Sequence, residues 1–112
     1  DVVDRDVVII DDMIDTGGTL LKAASAFKAK GARSVSACIT HGVLSGKAFQ
    51  NFTEHADDLE ELIITDTIPI PEGAKMKYSK TLEKITVLSV DKLLAKVIKR
   101  INKNQSVNGL FE

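Results

Sequence analysis

The chain has 112 residues, room for one domain, and is 44% hydrophobic but only 4% aromatic, so its core must be built from Val, Ile, Leu and Ala. Fifteen basic residues against sixteen acidic ones leave a net charge of −1, with no basic excess to serve nucleic acid. A single cysteine, Cys38, excludes an internal disulfide framework, and no apolar run reaches the ~20 residues of a membrane-spanning helix.

Cys38 lies inside an apolar run and reads as a buried structural thiol, which fits a reducing, cytoplasmic compartment. No charged segment followed by an apolar one opens the chain in the manner of a secretory leader. The chain begins with Asp1 rather than Met and leads almost at once into a strand, so it reads as a piece of a longer protein.

Residues 7–10, Val-Val-Ile-Ile, read as a buried strand, and residues 11–17 as the loop after it. A helix is expected from Gly18 or Thr19 to about Lys30, with Leu20, Ala23, Ala24 and Phe27 on one face. Gly31 is placed to cap it in the left-handed conformation. Residues 35–40 form a second strand that ends at His41-Gly42. Ser45 is expected to cap a second helix carrying Ala48, Phe49 and Phe52. Residues 62–65 form a third strand, ending at Asp66-Thr67 before a stiff segment with Pro69 and Pro71. The polar, lysine-rich residues 74–84 read mostly as loop. A fourth strand spans 85–90. Asp91 then caps a last helix with Leu93, Leu94, Val97, Ile98 and Ile101 inward and its lysines on a solvated face. Strands alternating with helices imply an α/β fold with a mostly parallel sheet and flanking helices. On such a sheet, ligands bind at the carboxyl ends of the strands. Those ends carry Asp11-Asp12, Thr40-His41 and Thr65-Asp66-Thr67.

The chemistry concentrates in Asp15-Thr16-Gly17-Gly18-Thr19. Glycines let backbone N–H groups approach an anion, the helix start adds unpaired N–H groups and the positive end of its dipole, and two hydroxyls donate. This is a phosphate cradle without a lysine. Asp11 and Asp12 would repel phosphate. They suit the cis-diol of a ribose, or water on a Mg²⁺ ion. A phosphate cradle beside a diol binder has the layout of a ribose 5-phosphate site. An acidic, glycine-bearing turn also caps helices without any ligand, and the apolar strand directly before Asp11-Asp12 is what favours the functional reading. Neither G-x-x-x-x-G-K-[ST] nor G-x-G-x-x-G occurs. Gly42-Val43-Leu44-Ser45-Gly46-Lys47-Ala48 is one residue short of the first and has Ala48 where a hydroxyl is required.

The stretch from Val8 to Leu20, Val-Ile-Ile-Asp-Asp-Met-Ile-Asp-Thr-Gly-Gly-Thr-Leu, resembles the phosphoribosyl-binding motif of the type I phosphoribosyltransferase fold. Its Asp-Met-Ile-Asp form is most similar to that of the ribose-phosphate pyrophosphokinases. Thr40-His41-Gly42-Val43-Leu44-Ser45-Gly46, Thr65-Asp66-Thr67-Ile68-Pro69, residues 85–90 with the helix after them, and Ser106-Val107-Asn108-Gly109-Leu110-Phe111 agree with that family. The resemblance covers nearly the whole chain. It implies a phosphoribosyltransferase-like domain, of which residues 1–112 are the ribose-5-phosphate-binding portion. It also implies transfer of diphosphate from Mg-ATP to ribose 5-phosphate, giving phosphoribosyl pyrophosphate and AMP. Asp15, Thr16, Gly17, Gly18 and Thr19 would hold the 5-phosphate, and Asp11 and Asp12 would face the ribose hydroxyls and the Mg²⁺ shell. Thr40-His41 and Thr65-Asp66-Thr67 would line the neighbouring strand ends. Ser106, Asn108 and Phe111 would stand where relatives bind an allosteric phosphate, with Asn108 in place of a serine.

On the same pattern the ATP-binding and catalytic residues lie before the motif, so the chain alone would be inactive. The parent would be a homo-oligomer, a hexamer built from dimers. Two further readings share the cradle: a phosphoribosyltransferase that consumes phosphoribosyl pyrophosphate, and a non-catalytic regulatory member of the same family.

Overall fold

The computed structural model describes residues 1–111. Four strands, β1 (Asp6–Ile14), β2 (Ser34–Gly42), β3 (Glu61–Thr65) and β4 (Ile85–Leu88), form one sheet in the order β1-β2-β3-β4, with every pair parallel. Helix α1 (Gly18–Ala29) links β1 to β2, and α2 (Ala48–His55) links β2 to β3. Short helices α3 (Glu72–Lys77) and α4 (Ser79–Leu82) precede β4. Helix α5 (Asp91–Asn102) and a 3₁₀ turn, Asn108–Leu110, complete the chain.

Strands that are neighbours both in sequence and in space, joined by crossovers of one hand, place their helices on one face of the sheet. The side chains obey this. Val35, Ala37, Ile39, Leu62, Ile64 and Ile85 are buried under the helices together with Leu20, Leu21, Ala24, Phe49 and Phe52. Full burial of Leu62 or Ile64 contributes roughly 1.5–3 kcal/mol each. On the other face Val8, Ile10 and Leu88 are exposed, and Cys38 is half-buried rather than buried as expected. Strand pleating sends alternate residues to opposite faces, and on that second face these apolar side chains stay open.

Several boundaries differ from those expected. Strand β1 runs through Asp11, Asp12 and Met13 to Ile14, because Asp11, Met13 and Ile14 pair with Ile39, His41 and Gly42. The ladder to β2 outweighs the low strand propensity of aspartate. The turn that remains is short, from Asp15 to Gly17. Residues 72–82 are mostly helical rather than loop. Ala74, Tyr78 and Leu82, four residues apart, pack partly buried against the core, and the Tyr78 ring stacks on Phe49 with centroids 5.6 Å apart. Ser45 does not cap α2. Gly31 adopts φ 99° just beyond α1, as its placement implies.

Helix α5 departs most from expectation. Leu94, Ile98 and Ile101 are exposed, at 54%, 67% and 63%, and of the apolar residues expected inward only Leu93 and Val97 are half-buried. The helix packs mainly on the C-terminal turn. The radius of gyration is accordingly 16.6 Å, against about 13 Å for a compact chain of this length. Asp91 is the first residue of α5 rather than its cap. The connection into α5 is held by Asp66, whose carboxylate accepts the Val90 N–H at 2.9 Å and the Ser89 hydroxyl at 2.7 Å. These bonds hold the Asp66 carboxyl below its usual range.

The start of the β1–β2 ladder is fastened by Arg33, which grips Asp6 through Nε at 3.0 Å and Nη2 at 2.6 Å, while Ser34 Oγ donates to the same carboxylate at 2.7 Å. The Arg33 hydrogen bonds, then that from Ser34, lower the Asp6 pKa from 3.8 to about 2. A carboxyl with a lowered folded pKa contributes stability that is complete above its unfolded value and fades as pH falls through the folded one. Urea midpoints of the wild type and Asp6→Asn should therefore differ at pH 6 and converge between pH 4 and pH 2. The difference should be small, because the pair is exposed. A gap that persists unchanged at pH 2 would show that Asp6 acts through something other than its charge.

Candidate functional site

The carboxyl end of β1, the turn 15–17 and the first turn of α1 enclose a cavity of about 390 Å³. Asp11, Met13, Asp15, Thr16, Gly17, Gly18 and Thr19 line it. Of the residues the sequence singled out for the sugar-phosphate, all but Asp12 meet here. Asp11 and Asp12 are consecutive on a strand, so their side chains leave on opposite faces. Asp11 shares the face of Ile9 and Met13, which carries the cavity. Asp12 shares the face of Val8 and Ile10. The Asp11 carboxylate also accepts the Asp12 N–H at 2.8 Å.

Gly17 stands at φ 82°, the left-handed region that costs a residue with a Cβ roughly 1–2 kcal/mol. A Cβ there would also meet the Phe52 ring at 2.7 Å. Glycine is thus required twice, for the conformation and for the close approach of α2. The first intrahelical bond of α1 runs from the Leu21 N–H to the Gly17 carbonyl at 2.9 Å, and no side chain caps the helix. Among the described residues the N–H groups of Gly18, Thr19 and Leu20 have no protein acceptor. They form a cluster of donors at the positive end of a helix dipole, beside the Thr16 and Thr19 hydroxyls.

Three residues that sequence reasoning did not assign to the site shape the turn. Ser45 Oγ donates to the Asp15 carboxylate, a use of that hydroxyl in place of the expected cap. Asn51 Nδ2 donates to the Thr16 carbonyl at 3.0 Å, and Phe52 packs against Gly17. All three lie about thirty residues further along the chain, and no local spacing signals such partners.

The other strand ends are tied to one another. Thr65 Oγ1 donates to the Thr40 carbonyl at 2.7 Å, and His41 Nδ1 lies 2.8 Å from Thr67 Oγ1. These groups stand at the same edge of the sheet but do not line the cavity. Nor do Ser106, Asn108 and Phe111. Ser106 Oγ accepts the Asn108 N–H at 3.2 Å, the Ser106 carbonyl accepts Arg100 Nη1 at 3.1 Å, and Phe111 is exposed. No group of three or more His, Cys, Asp or Glu residues disposed to hold a metal ion occurs among the described residues. A cation at Asp11 would draw most of its ligands from water and from a bound ligand.

Residues 1–112 match the family described as the phosphoribosyl synthetase-associated domain. The chain is 50% identical over 111 residues to a ribose-phosphate pyrophosphokinase of Campylobacter jejuni, covering 99% of this chain and 33% of that protein. It is 46% identical over 112 residues to the enzyme of the same name from Haemophilus ducreyi, covering 100% and 33%. Among solved structures, phosphoribosylpyrophosphate synthetase from Mycobacterium smegmatis superposes with a TM-score of 0.79 at 38% identity, covering 93% of this chain and 32% of that one. The chain spans about a third of the length of the curated relatives it matches.

The two glycines of the turn should respond differently to a methyl group. Gly17→Ala should destabilise the fold by about 2 kcal/mol or more, from backbone strain and the displaced Phe52 ring. Gly18→Ala meets only the Thr16 hydroxyl at 4.0 Å and should change stability by less than about 1 kcal/mol. Thermal or urea unfolding of both variants measures this. Equal losses would mean that the turn is not held as described.

Proposed function

The chain belongs to the phosphoribosyl synthetase-associated domain family, within the ribose-phosphate pyrophosphokinases, and from that premise we propose that it is the ribose-5-phosphate-binding portion of a ribose-phosphate diphosphokinase. The observation that carries the proposal is one cavity that joins the Asp11 carboxylate to a turn of unpaired backbone donors. The donors of Gly18, Thr19 and Leu20, with the hydroxyls of Thr16 and Thr19, suit the 5-phosphate, which takes several hydrogen bonds without a lysine. Asp11 suits the ribose hydroxyls, because an ionised carboxylate can only accept. Asp12, on the other face of β1, adds negative charge nearby without lining the cavity.

The parent reaction moves a diphosphoryl group from ATP to the anomeric hydroxyl of the sugar. Such a transfer needs cationic groups and Mg²⁺ to stabilise charge on the moving phosphorus. The donor set here fits a Mg²⁺ ion only as a partner of the substrate. Of the two cavity carboxylates Asp15 accepts from Ser45, and Asp11 would hold the ion, with sugar oxygens and water completing the shell. When bound, the ion would draw negative charge from the transferring phosphate. The task of this chain is to fix the sugar so that its anomeric oxygen is presented in one orientation, which is a catalytic contribution in its own right. No arginine or lysine lines the cavity. The chain alone therefore should not perform the transfer, and the groups that do belong to the remainder of a protein of its relatives' length. ATP as second substrate, a cytoplasmic location and a homo-oligomeric parent belong to the same reading. A phosphoribosyltransferase would use the same cradle. The identity to pyrophosphokinases over almost the whole chain favours the synthetase.

Calorimetric titration tests the binding site. Ribose 5-phosphate should bind, ribose should not, and Thr19→Val should weaken binding about tenfold, the value of one hydrogen bond to a charged group. Tighter binding of phosphoribosyl pyrophosphate than of ribose 5-phosphate would favour the transferase instead. Given Mg-ATP and ribose 5-phosphate, the purified chain should form no phosphoribosyl pyrophosphate; measured product would remove the assignment of catalysis to residues outside it.

A further inference from the structure

We propose that Asn51 is a positioning residue for the phosphate turn, acting through the orientation of the Thr16–Gly17 peptide; the proposal rests on the reading of residues 15–19 as a sugar-phosphate cradle. Asn51 stands on α2, and its side chain lines a groove between α1 and α2 together with Gly18, Lys22, Ser25 and His55. That groove and the Asp11 cavity share Gly18 as a wall, but Thr16 and Gly17 line only the cavity. From the groove side Asn51 Nδ2 donates to the Thr16 carbonyl at 3.0 Å.

In a trans peptide the C=O and the following N–H point in opposite directions. Holding the Thr16 carbonyl toward Asn51 turns the Gly17 N–H away from Asn51, and Gly17 lines the Asp11 cavity rather than the groove. Gly17 is buried, and its N–H has no protein acceptor among the described residues. An N–H at a cavity wall pairs with water or with a ligand, so this one is open to an anion. With the N–H groups of Gly18, Thr19 and Leu20 it makes a fourth backbone donor for one anion.

Glycine at φ 82° has access to other conformations at little cost. Without the Asn51 bond the peptide is free to rotate and carry the Thr16 carbonyl, a negative dipole end, toward the cavity. The side chain thereby sets whether this peptide presents a donor or an acceptor to the phosphate. Phe52 fixes the position of the turn by packing. Asn51 fixes its polarity.

The test uses ¹⁵N-labelled chain titrated with ribose 5-phosphate, following the Gly17 amide resonance and the dissociation constant. In the wild type the Gly17 amide should shift and saturate with the binding isotherm. Asn51→Ala should lose about tenfold in affinity and should shift Gly17 in the free protein, with a smaller response to ligand. Asn51→Asp is nearly isosteric but cannot donate, and it should behave like Asn51→Ala or worse. His55→Asp puts a carboxylate in the same groove without touching the Thr16 carbonyl, and it should bind with near-wild-type affinity. A loss in His55→Asp equal to that in Asn51→Asp, with Asn51→Ala unimpaired, would assign the effect to charge and overturn the positioning role. So would Asn51 variants that bind normally while their Gly17 amide responds as in the wild type. If the wild type itself shows no response to ribose 5-phosphate, the cradle reading fails and the proposal fails with it. Thermal unfolding of each variant separates lost binding from lost fold.

Discussion

The parallel ladder between β1 and β2 is the constraint on which the rest of the molecule depends. It runs from Asp6 opposite Ser34 to Ile14 opposite Gly42 and is fastened at both ends. Arg33 grips Asp6 at the start. At the finish the Ile14 carbonyl accepts the N–H groups of Val43 and Leu44 at 2.9 and 3.2 Å. Register in a parallel pair fixes which residues reach the sheet edge together, and a slip of one position would send every side chain to the wrong face. Here it brings Asp11 out on the helix-covered side while the chain turns directly into α1. The cavity is the gap between that carboxylate and the helix start.

The turn has almost no structure of its own. Its conformation comes from α2, which reaches it only because β2 and its crossover return to the same side of the sheet. Ser45 holds the Asp15 carboxylate, Asn51 the Thr16 carbonyl and Phe52 the close face of Gly17. Binding an anion with neutral donors requires that they already point at it, since each wrongly aimed peptide contributes a carbonyl dipole of the opposite sign. The loop carries the unpaired donors, and residues at and just before the neighbouring helix hold the turn that presents them.

Two apolar surfaces have no partner among the described residues: the face of the sheet with Val8, Ile10 and Leu88, and the stripe of α5 with Leu94, Ile98 and Ile101. Hydrophobic periodicity marks which side of a helix is apolar, and on α5 it does so clearly. It does not state what that side meets. The expectation that the stripe of α5 faces inward failed for that reason, as did the expectation that Cys38 is buried. Both rested on the assumption that an apolar side chain is covered by this chain itself. The chain spans about a third of the length of its relatives, and that fact bears on why the assumption fails.

What the sequence determined by itself was local and chemical. Alternating strand and helix patterns predict the parallel α/β sheet. The run from Val7 to Thr19 carries the order of strand, acids, glycines and helix start that a phosphate cradle requires, because those demands are met by adjacent residues. The tertiary structure decided what distant residues must settle together. Ladder pairing extended β1 through Asp11 to Ile14 and so separated Asp11 from Asp12 by the pleat. Packing against Phe49 and the core folded residues 72–82 into helices despite their polar, lysine-rich composition. A helix thirty residues away in sequence set the geometry of the turn. Hydrogen bonds and van der Waals contacts act over a few ångströms of space, and only the folded chain specifies which residues those few ångströms join.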